Sequence, residues 1–546
     1  MSYLKKLSVF RCAFTVVGTL LLISWLWPFH FLPWTNFVQD FCAFIALLLT
    51  ALCSRNFKLG PMSGFIFFVA TIPVAQFFAG LIFFWGDALL ASSYILALAL
   101  AIVVGSAACE TEAKRSEFYS LIAICIITAS TISCAIAIRQ WFHVAESDFE
   151  INLAGGRVYA NLGQPNNLAT LLLMGCAGLL YFYEKRKAHS ALLTLVAIFL
   201  LLGVVLTQSR TPWVTFLFLG LFCAYMVRKK NTRFHLWLVI IWFFYFCAMT
   251  VVMPLVSDAL GFGTYSLVER SASGRLELWY QLLMALKEYW LFGVGWNQIS
   301  VAQAAVSSLQ PLPMMAEYSH NIILDLLLWN GVPLGGLIVL ICSVWGWGLI
   351  RHVNDAETFF AVLVGLAIGV HSLFEFPFAY AYFLIPLGLL LGGARPPMRM
   401  VLNVPTWLMA AFLILGVVVL ARVVFEYRVL QQEEFSRKVS DAGVVGFERQ
   451  YDSRGIVLLT QLSALMEYRR MTPHREESEE SLADMRRVVW RYPYLANLYR
   501  YALILDLNGR QSESQEVLLI LRALHGDSSY FSALSLLPIS SGNKGE

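Results

Sequence analysis

The sequence predicts an all-α fold: a polytopic membrane helical bundle of about 12–13 spans, with a large loop on one face and a small helical C-terminal domain. Composition is the first observation, because 59% of the 546 residues are hydrophobic and only 14% are charged. A soluble protein of that composition would have too little polar surface to face water. The other two observations are apolar runs that recur as far as residue 424, and basic residues that gather in alternate loops.

The apolar runs are long enough to cross a bilayer as helices. They occupy approximately residues 9–27, 37–54, 62–84, 88–108, 118–138, 163–183, 191–208, 212–227, 234–254, 320–350, 357–374, 377–393 and 402–424. Only a few residues, about 208–212, join the seventh run to the eighth. The predicted count is therefore thirteen, or twelve if these two runs form one span.

Lysine and arginine residues determine the predicted orientation. Lys5, Lys6 and Arg11 precede a first run that lacks the small-residue cleavage pattern of a signal peptide, so this run is predicted to be a retained span. With a cytoplasmic N-terminus, every second connection is basic, as the positive-inside rule requires. The long loop at about 255–319 and the tail after residue 425 are then predicted on the outer face.

Cysteine spacing and missing motifs exclude several kinds of site. The ten cysteines lie in or beside apolar runs without metal-like spacing, and we expect them to be small buried hydrophobic residues. The sequence has no P-loop, no HExxH, no Gly-x-Ser-x-Gly and no DxD-type acidic pair on the predicted outer face. No metal or other cofactor is expected. The net charge of +4 says little about partners, because the charges are sorted by loop, and no nucleic-acid partner is expected.

Three arginines on the predicted outer face lie at tight turns: Arg157 in GGRVY, Arg210 in TQSRTPW and Arg275 in SASGRLELW. A guanidinium is a planar, permanently charged fork that suits phosphate, and small residues let the backbone approach a ligand. The arginines therefore predict a cationic pocket for an anionic, diphosphate-bearing ligand. A side chain that snorkels to the lipid headgroups is the alternative for each of them, and Arg139 is expected to be such an interface anchor.

The segment GQPNNLA opens the sixth run. Asn166 and Asn167 follow Pro165, and one of them is expected to cap the helix that begins there. Gln164 and the other amide are then available to bind a sugar or a phosphate.

A histidine marks the point where the long loop meets the next run. Glu317 precedes His320, Asn321 follows it, and Asp325 lies about one turn into the apolar run, where a carboxylate is usually functional or paired. A histidine that titrates near neutral pH is suited to take a proton from an acceptor hydroxyl. The alternative is a solvated, uninvolved polar residue at a helix start.

His371 and Glu375 stand one helical turn apart at the outer end of another run. They either support His320 or pair with each other.

Residues 426–546 have the composition of a soluble domain. Apolar residues at helical spacing, including Tyr499, Ala502, Leu505 and Val517, resemble a tetratricopeptide helix pair. One or two such units are too few for a free-standing array, so this periplasmic helical C-terminal domain is predicted to pack on the membrane domain, residues 1–425, or on a partner.

The long outer loop, the SGR-type arginine and the H-N-x-x-L start of the next run resemble the O-antigen ligase/polymerase (Wzy/WaaL-like) superfamily. Within it, GRVYANLGQPNNLATLL, HSLFEFPF and the soluble extension resemble the bacterial protein O-oligosaccharyltransferases, the PglL-like pilin glycosylation ligases. The resemblance covers most of residues 157–391. It implies en bloc transfer of a glycan from undecaprenyl diphosphate to a Ser/Thr hydroxyl of a periplasmic protein such as a pilin, without metal, at the outer face of the bacterial inner membrane.

The resemblance also implies residue roles. Arg210 and Arg275 would hold the diphosphate and stabilise the leaving group, and His320 would activate the acceptor hydroxyl. The remaining candidates would line the donor or acceptor sites: Arg157, Gln164, Asn166, Asn167, Glu317, Asn321, Asp325, His371 and Glu375.

Two other functions stay open at this point. The same chemistry with another acceptor would make the protein an O-antigen ligase to lipid A-core or an O-antigen polymerase. A lipid or sugar transporter is the alternative from another class. Transporters usually place polar groups near the bilayer midplane, often in two related halves, whereas here the polar groups cluster at one predicted face.

Overall fold

The computed structural model describes residues 2–144, 147–230, 232–262, 274–394, 401–443 and 453–536, with side chains from residue 14 onward. Residues 263–273 of the predicted outer loop, including Arg270, lie outside the described residues.

Helices make up nearly all regular secondary structure in these ranges. In chain order they are α1 (Ser2–Leu26), α2 (Phe37–Leu52), α3 (Pro61–Val69), α4 (Ile72–Phe78), α5 (Trp85–Ala108), α6 (Glu112–Trp141), α7 (Pro165–Glu184), α8 (Ser190–Leu206), α9 (Thr211–Arg228), α10 (Leu236–Ala259), α11 (Arg275–Glu288), α12 (Ile299–Val306), α13 (Ile322–Arg351), α14 (Ala356–Ser372), α15 (Ala381–Gly393), α16 (Thr406–Asp441), α17 (Thr460–Arg470), α18 (Glu479–Arg491), α19 (Leu495–Leu507), α20 (Gln511–His525) and α21 (Asp527–Leu536). Turns of 3₁₀ helix occur at Ala160–Leu162, Pro377–Ala379 and Ser453–Gly455, and the two-residue strands β1 (Lys58–Leu59) and β2 (Leu402–Asn403) pair antiparallel. The all-α prediction is confirmed.

Every apolar run of the sequence corresponds to helix. Within the described residues, eight stretches, with α3 and α4 taken as one, are long and apolar enough to cross a membrane. The other runs form the shorter apolar helices Phe14–Leu26, Phe37–Leu52, Ser190–Leu206, Ala356–Ser372 and Ala381–Gly393. The protein is a polytopic membrane protein, and the count of twelve or thirteen crossings stays a prediction.

The chain divides into two compact units, each assembled from separate stretches of sequence. The first unit comprises Met1–Ala70, Ser93–Arg270 and Ile341–Ala421, and the second comprises Thr71–Ser92, Ser271–Leu340 and Arg422–Glu546. Helix α16 continues without a break through residue 426, where the composition changes from apolar to that of a soluble domain.

Helix α7 is the central helix of the first unit, because every residue from 166 to 181 is buried. A helix that is apolar all round is typical of such a position. Its first turn is an exception to that pattern, since the polar residues Asn166 and Asn167 are also buried. Buried amides need hydrogen-bond partners, so other residues of the first unit must bond to Asn166 and Asn167.

Glycines let α5 and α15 of the first unit approach to backbone contact. A Cβ on Gly392 of α15 would stand 2.0 Å from the carbonyl oxygen of Ile102, and one on Gly105 of α5 would stand 2.1 Å from that of Leu389. Membrane helices associate through small residues of this kind because lipid offers no hydrophobic driving force for their packing.

The run predicted as one span at 320–350 is two helices. Helix α13 is broken at Gly331, where φ is 74° and ψ is 166°, a conformation that glycine adopts without steric cost. Pro333 follows, near the start of the second helical part. Asp325 lies in the first turn of α13, within the helical segment 322–330 that precedes the break. Its position just inside a membrane span stays a prediction.

The segment 290–295 of the second unit covers this break. The N–H of Val294 donates to the carbonyl of Leu328 at 2.8 Å, and the N–H of Val332 donates to the carbonyl of Trp290 at 2.6 Å. A Cβ on Gly293 would stand 2.4 Å from the carbonyl oxygen of Leu328. These bonds use backbone groups that the interrupted helix cannot pair internally.

The C-terminal helices of the second unit pack as antiparallel pairs. Ala502 and Leu505 on α19 are fully buried beside Val517 and Leu521 on α20. These are the apolar positions from which the sequence predicted a helical tail.

Buried ion contacts fix these helices within the second unit. Arg491 at the end of α18 donates from Nε and Nη2 to the two carboxylate oxygens of Asp87, at 2.9 and 3.0 Å. Glu426 of α16 is fully buried and accepts hydrogen bonds from three successive backbone N–H groups at 457–459. Because both carboxylates are nearly inaccessible, their partners offset the cost of desolvation.

Candidate functional site

The start of α7 differs from the expected arrangement. The helix begins at Pro165 with Gln164 at the N-cap position, and no side chain caps it. The prediction that Asn166 or Asn167 caps the helix is therefore wrong. Both asparagines lie inside the first turn, and their amides bond to other segments of the first unit.

Glu375 is the residue toward which two of these amides converge. Asn166 Nδ2 donates to Glu375 Oε1 at 2.7 Å, and Gln164 Nε2 donates to Oε2 at 3.3 Å. Only 3% of Glu375 is exposed. This buried carboxylate fixes the orientation of both side-chain amides. Each amide can direct its NH2 group at Glu375 only if its carbonyl oxygen points away from Glu375. We call Gln164, Asn166 and Glu375 the amide–carboxylate cluster.

The cluster continues to the turn that precedes α9. Ser209 Oγ donates to Asn166 Oδ1, and Arg157 Nη2 donates to Ser209 Oγ at 3.1 Å. Arg157 Nε also donates to the carbonyl of Thr207 at 3.0 Å. Arg157 thus bonds to the backbone and side chain of the turn beside Arg210, which is a more specific arrangement than a side chain that snorkels to headgroups.

His371 and Asn167 bond to other parts of the first unit. His371 Nδ1 is hydrogen-bonded to Thr170 Oγ1 at 2.9 Å, one turn beyond Asn166 on α7. Asn167 Nδ2 donates to the hydroxyl of Tyr382 at 3.3 Å. His371 and Asn167 are both buried, so their side chains hold α7 against α14 and α15 and are not presented to solvent.

Arg210 is exposed at the N-terminus of α9. It lines a pocket of the first unit together with Gln208, Ser209, Trp213 and other residues of α8, α9 and α10. Arg157 bonds to Thr207 and Ser209, which precede Arg210 in the chain, and so holds the turn that carries Arg210 in place.

The turn at 319–321, which we call the His320 turn, is held at several points in the second unit. The N–H of Ser319 donates to Asp325 Oδ1 at 2.8 Å, and the carbonyl of Ser319 accepts from Trp279 Nε1 at 2.8 Å. Asn321 Oδ1 accepts from the N–H groups of Ile323 and Leu324, which makes it the cap of the helical segment 322–330.

His320 itself is half-buried and has a φ of 59°. A left-handed backbone is uncommon for a residue other than glycine and persists only where the surroundings enforce it. Here the bonds on Ser319 and Asn321 enforce it from both sides. The imidazole is therefore presented by a rigid turn rather than by a helix.

Trp279 places α11, and with it Arg275, beside this turn. Arg275 is the first residue of α11, after Gly274 with a φ of 59°, and Trp279 lies one helical turn further on. Since Trp279 Nε1 bonds to Ser319, the face of α11 that carries Arg275 is tied to the His320 turn. Trp279 was not a sequence candidate, although its spacing of four residues from Arg275 was visible.

Glu317 bonds to the C-terminal helices rather than to the His320 turn. Its carboxylate accepts from the hydroxyl of Tyr494 at 3.0 Å. Burial, together with the negative charge of Glu317, raises the pKa of the Tyr494 phenol, so this hydroxyl stays protonated and donates.

The structure thus assembles the sequence candidates into two groups. The first unit brings together Arg157, Gln164, Asn166, Glu375 and the turn of Arg210, while Asn167 and His371 bond to Tyr382 and Thr170 in the same unit. The second unit brings together Arg275, His320, Asn321 and Asp325, with Glu317 beside the tail. Sequence reasoning missed Ser209, Thr170, Trp279 and Tyr382, all of which bond directly to a candidate or its neighbour.

Family comparisons cover most of this region. Residues 158–183 match a family described as "Protein glycosylation ligase", and residues 195–340 match one described as "O-Antigen ligase". Residues 359–536 match a family described as "Virulence factor membrane-bound polymerase, C-terminal". The first match begins directly after Arg157 and contains Gln164 and Asn166 of the amide–carboxylate cluster, and the second contains Arg210, Arg275 and the His320 turn.

Two curated relatives from Acinetobacter baylyi align over most of their lengths. A general O-oligosaccharyltransferase is 29% identical over 525 residues, which cover 93% of this chain and 92% of the relative. A ComP-specific O-oligosaccharyltransferase is 30% identical over 453 residues, which cover 80% of each. This polytopic membrane chain belongs to the family of bacterial protein O-oligosaccharyltransferases, PglL-like enzymes of the O-antigen ligase superfamily.

Proposed function

We propose that the protein transfers a glycan en bloc from undecaprenyl diphosphate to Ser/Thr hydroxyls of periplasmic proteins such as pilins. The match of residues 158–183 to a protein glycosylation ligase supports a protein acceptor most directly. The reaction takes place on the periplasmic face of the inner membrane, with the C-terminal helices on the same side. The distribution of basic loops supports this orientation.

The chemistry needs an activated acceptor and a stabilised leaving group. His320 takes the proton of the acceptor hydroxyl as the oxygen attacks the anomeric carbon of the glycan. The bond between that carbon and the diphosphate oxygen breaks, and the electron pair leaves with the diphosphate. Arg210 and Arg275 stabilise the negative charge that develops there. His320 then releases its proton to water, which restores the neutral imidazole.

The other candidates position these groups. Arg157 and the amide–carboxylate cluster hold the turn of Arg210. We assign to Gln164 the contact with the donor glycan, because this side chain is partly accessible while Asn166 is buried. Asn167 and His371 fix α7 behind the cluster. In the second unit, Asn321 and Asp325 hold the His320 turn, and Glu317 borders the C-terminal helices.

Co-expression with a pilin and a lipid-linked glycan tests this function. Intact mass of the pilin is expected to show one glycan increment that depends on the protein and is lost in His320→Ala, with the variant present in the membrane at the wild-type level. A pilin of unchanged mass, together with new glycan on lipid A-core, would reject the protein acceptor.

A ligase or polymerase of O-antigen is the second candidate function. The family matches at residues 195–340 and 359–536 favour it, because their descriptions name a ligase and a polymerase. Electrophoresis of lipopolysaccharide from the same cells distinguishes it, since a lipid acceptor would give a ladder that requires the protein.

Topology is tested separately. Alkaline phosphatase fused after residue 546 is expected to be active, and a fluorescent protein that folds only in the cytoplasm is expected to be dark. The reverse pair of signals would invert the proposed orientation.

A further inference from the structure

Helix α11 of the second unit has apolar residues on two opposite faces, and only one of these faces is buried. The buried face consists of residues spaced four and three apart: Leu278, Leu282 and Ala285. The other face repeats that spacing with Leu276, Tyr280 and Leu283, which are 69%, 59% and 47% exposed. An amphipathic helix that packs only on its own domain needs one apolar face, so the second face is left for another contact.

The segment after the helix extends this second face. Leu291 and Phe292 are exposed, Phe292 to 68%. We call the five residues together the α11 apolar surface: Leu276, Tyr280, Leu283, Leu291 and Phe292. Lys287 ends the helical part of this surface, and Glu277 and Glu288 lie three helical turns apart along one edge of the helix. A contiguous exposed apolar surface with charged residues at its margin marks an interaction site.

Backbone bonding joins the α11 apolar surface to a helix that is apolar enough to cross a membrane. The N–H of Val332 in α13 donates to the carbonyl of Trp290, directly before Leu291, at 2.6 Å. Val332 is itself exposed, and the exposed residues Leu337 and Leu340 follow it along α13. The exposed apolar side of α13 therefore begins where the α11 apolar surface ends.

The length of α13 beyond its break matches the thickness of a bilayer. Residues 333–351 extend over about 28 Å, since each helical residue adds about 1.5 Å, and the hydrocarbon core is about 30 Å thick. A helix that crosses the core with this part has its break at Gly331 close to the membrane boundary. Residues 290–292, which bond to the break, then lie at the same level.

We propose that the α11 apolar surface lies on the lipid bilayer, with its side chains among the headgroups and the upper parts of the acyl chains. Its continuity with the exposed side of α13 carries this assignment. Tyr280 suits this level because its ring is apolar and its hydroxyl is polar. The charged ends of Lys287 and the two glutamates lie at or beyond the margin of the surface, where they reach water.

The contact with lipid also sets the depth of the His320 turn. Arg275 and Trp279 directly precede Leu276 and Tyr280 and lie along one edge of the same surface. Trp279 in turn bonds to Ser319, so α11 carries the turn at a fixed height above the acyl chains. This effect on transfer rests on the proposed function, because that function needs Arg275 at the level of a lipid diphosphate.

Photo-crosslinking of the full-length protein in proteoliposomes of phosphatidylethanolamine and phosphatidylglycerol tests the contact. Tyr280→p-benzoylphenylalanine and Phe292→p-benzoylphenylalanine place a benzophenone on the surface, and benzophenone inserts into the C–H bonds of acyl chains. Illumination is expected to add the mass of one phospholipid to the peptide that contains the substituted residue. Both variants must be present in the vesicles at the level of wild type.

Leu309→p-benzoylphenylalanine is the matched control. Leu309 is 68% exposed, as Phe292 is, but the adjacent carbonyl of Gln310 bonds to Gln281 on the buried side of α11. Because side chains at the headgroup level are in continual contact with lipid, lipid adducts at Tyr280 and Phe292 should exceed those at Leu309 about tenfold. Equal yields at the three positions would overturn the inference. An adduct with an acceptor pilin in the same vesicles, in place of lipid, would assign the surface to the acceptor and overturn it too.

Leu283→Glu tests the effect on transfer. The added charge should draw α11 away from the acyl chains and lower kcat/KM for a lipid-linked donor about fivefold in the same vesicles. Leu309→Glu should transfer as wild type does. Equal kcat/KM values in wild type and Leu283→Glu would reject the role in transfer. Absence of transfer by wild type would instead reject the proposed function, and the crosslinks to lipid would be unaffected by that result.

Discussion

Asp325 Oδ1 accepts a hydrogen bond of 2.8 Å from the backbone N–H of Ser319. Both residues are fully buried, and His320 follows Ser319 directly, with a left-handed backbone. A carboxylate that the sequence assigned to a substrate thus bonds to the backbone next to the proposed base. The position of the imidazole depends on this carboxylate.

Asp325→Ala should therefore reduce kcat while the protein still inserts into the membrane. Loss of the acceptor leaves a buried N–H unsatisfied, which costs about 1–3 kcal/mol and releases the turn. Asp325→Asn keeps an acceptor oxygen and should retain most of the activity. The measurement is kcat and donor KM by intact mass of the acceptor. An equal loss of kcat in Asp325→Ala and Asp325→Asn would indicate that the negative charge itself, and not the hydrogen bond, is needed.

Trp279→Phe tests the second bond to the His320 turn. The substitution keeps an aromatic ring but removes the N–H that donates to the carbonyl of Ser319. We expect kcat to fall about fivefold to tenfold, the equivalent of one hydrogen bond of about 1 kcal/mol.

The matched control is Trp290→Phe in the same segment of the second unit, where 54% of the side chain is exposed. Its kcat should equal that of wild type. Equal losses in the two variants would mean that Trp279 acts only as a general packing residue.

Arg275→Lys should be impaired although the substitution retains the positive charge. An ammonium is a point charge, whereas a guanidinium offers two parallel donors to a diphosphate. We expect at least about a tenfold fall in kcat/KM for the donor, the equivalent of about 1.4 kcal/mol. Lys287, on the last turn of the same helix, supplies the control as Lys287→Arg. Full activity in Arg275→Lys would show that this residue contacts lipid headgroups rather than the donor.

Arg491→Ala should destabilise the second unit. Its pair with Asp87 is nearly inaccessible, with 11% and 4% of the two side chains exposed, and removal of one partner from a buried pair costs about 3–5 kcal/mol. Thermal unfolding in detergent is the measurement. Arg487→Ala, on the same helix, breaks an exposed pair with Asp484 and should leave the midpoint nearly unchanged. Equal midpoints would show that the buried pair contributes little.

His30, in the connection between α1 and α2, should make the free energy of unfolding depend on pH. Burial lowers the pKa of His30 from 6.5, more than its hydrogen bond to the carbonyl of Asn161 raises it. The unfolded chain therefore binds a proton at higher pH than the folded protein does. The stability that neutral His30 contributes to the folded state is complete above pH 6.5. It is lost as the pH falls from 6.5 through the lowered pKa.

His30→Gln should flatten the change of the unfolding midpoint between about pH 7.5 and about pH 5. His189→Gln, at an exposed histidine, should retain the wild-type slope. An unchanged slope in His30→Gln would assign the pH dependence to other groups.

Hydropathy was sufficient to predict the helices but not the break in one of them. Each apolar run became helix, because burial in lipid and internal hydrogen bonding leave no alternative for such sequences. Gly331 escaped prediction since a single left-handed glycine hardly changes an average over a long window. What stabilises the break is the backbone of residues 290–295, and no local pattern shows that contact.

The candidate residues were easier to predict than their partners. Turn-forming neighbours and polar residues at the ends of runs indicated Arg157, Asn166 and His320. Asn166 bonds to Glu375, 209 residues away, and a single sequence carries no signal for a pair so distant. The left-handed backbone of His320 is likewise imposed by Trp279 and Asp325, which act from another helix and from beyond the turn.

The contact of Gly293 with the break at Gly331 has a consequence for engineering. Residues 294–328 leave from and return to one backbone junction, so the segment that bears His320 is a closed cassette fastened without a disulfide or a metal. Chimeras that exchange this cassette between relatives, with both glycines kept, should fold with the junction intact. Such a graft exchanges the segment that bears His320 without changing the backbone bonds that hold its two ends together.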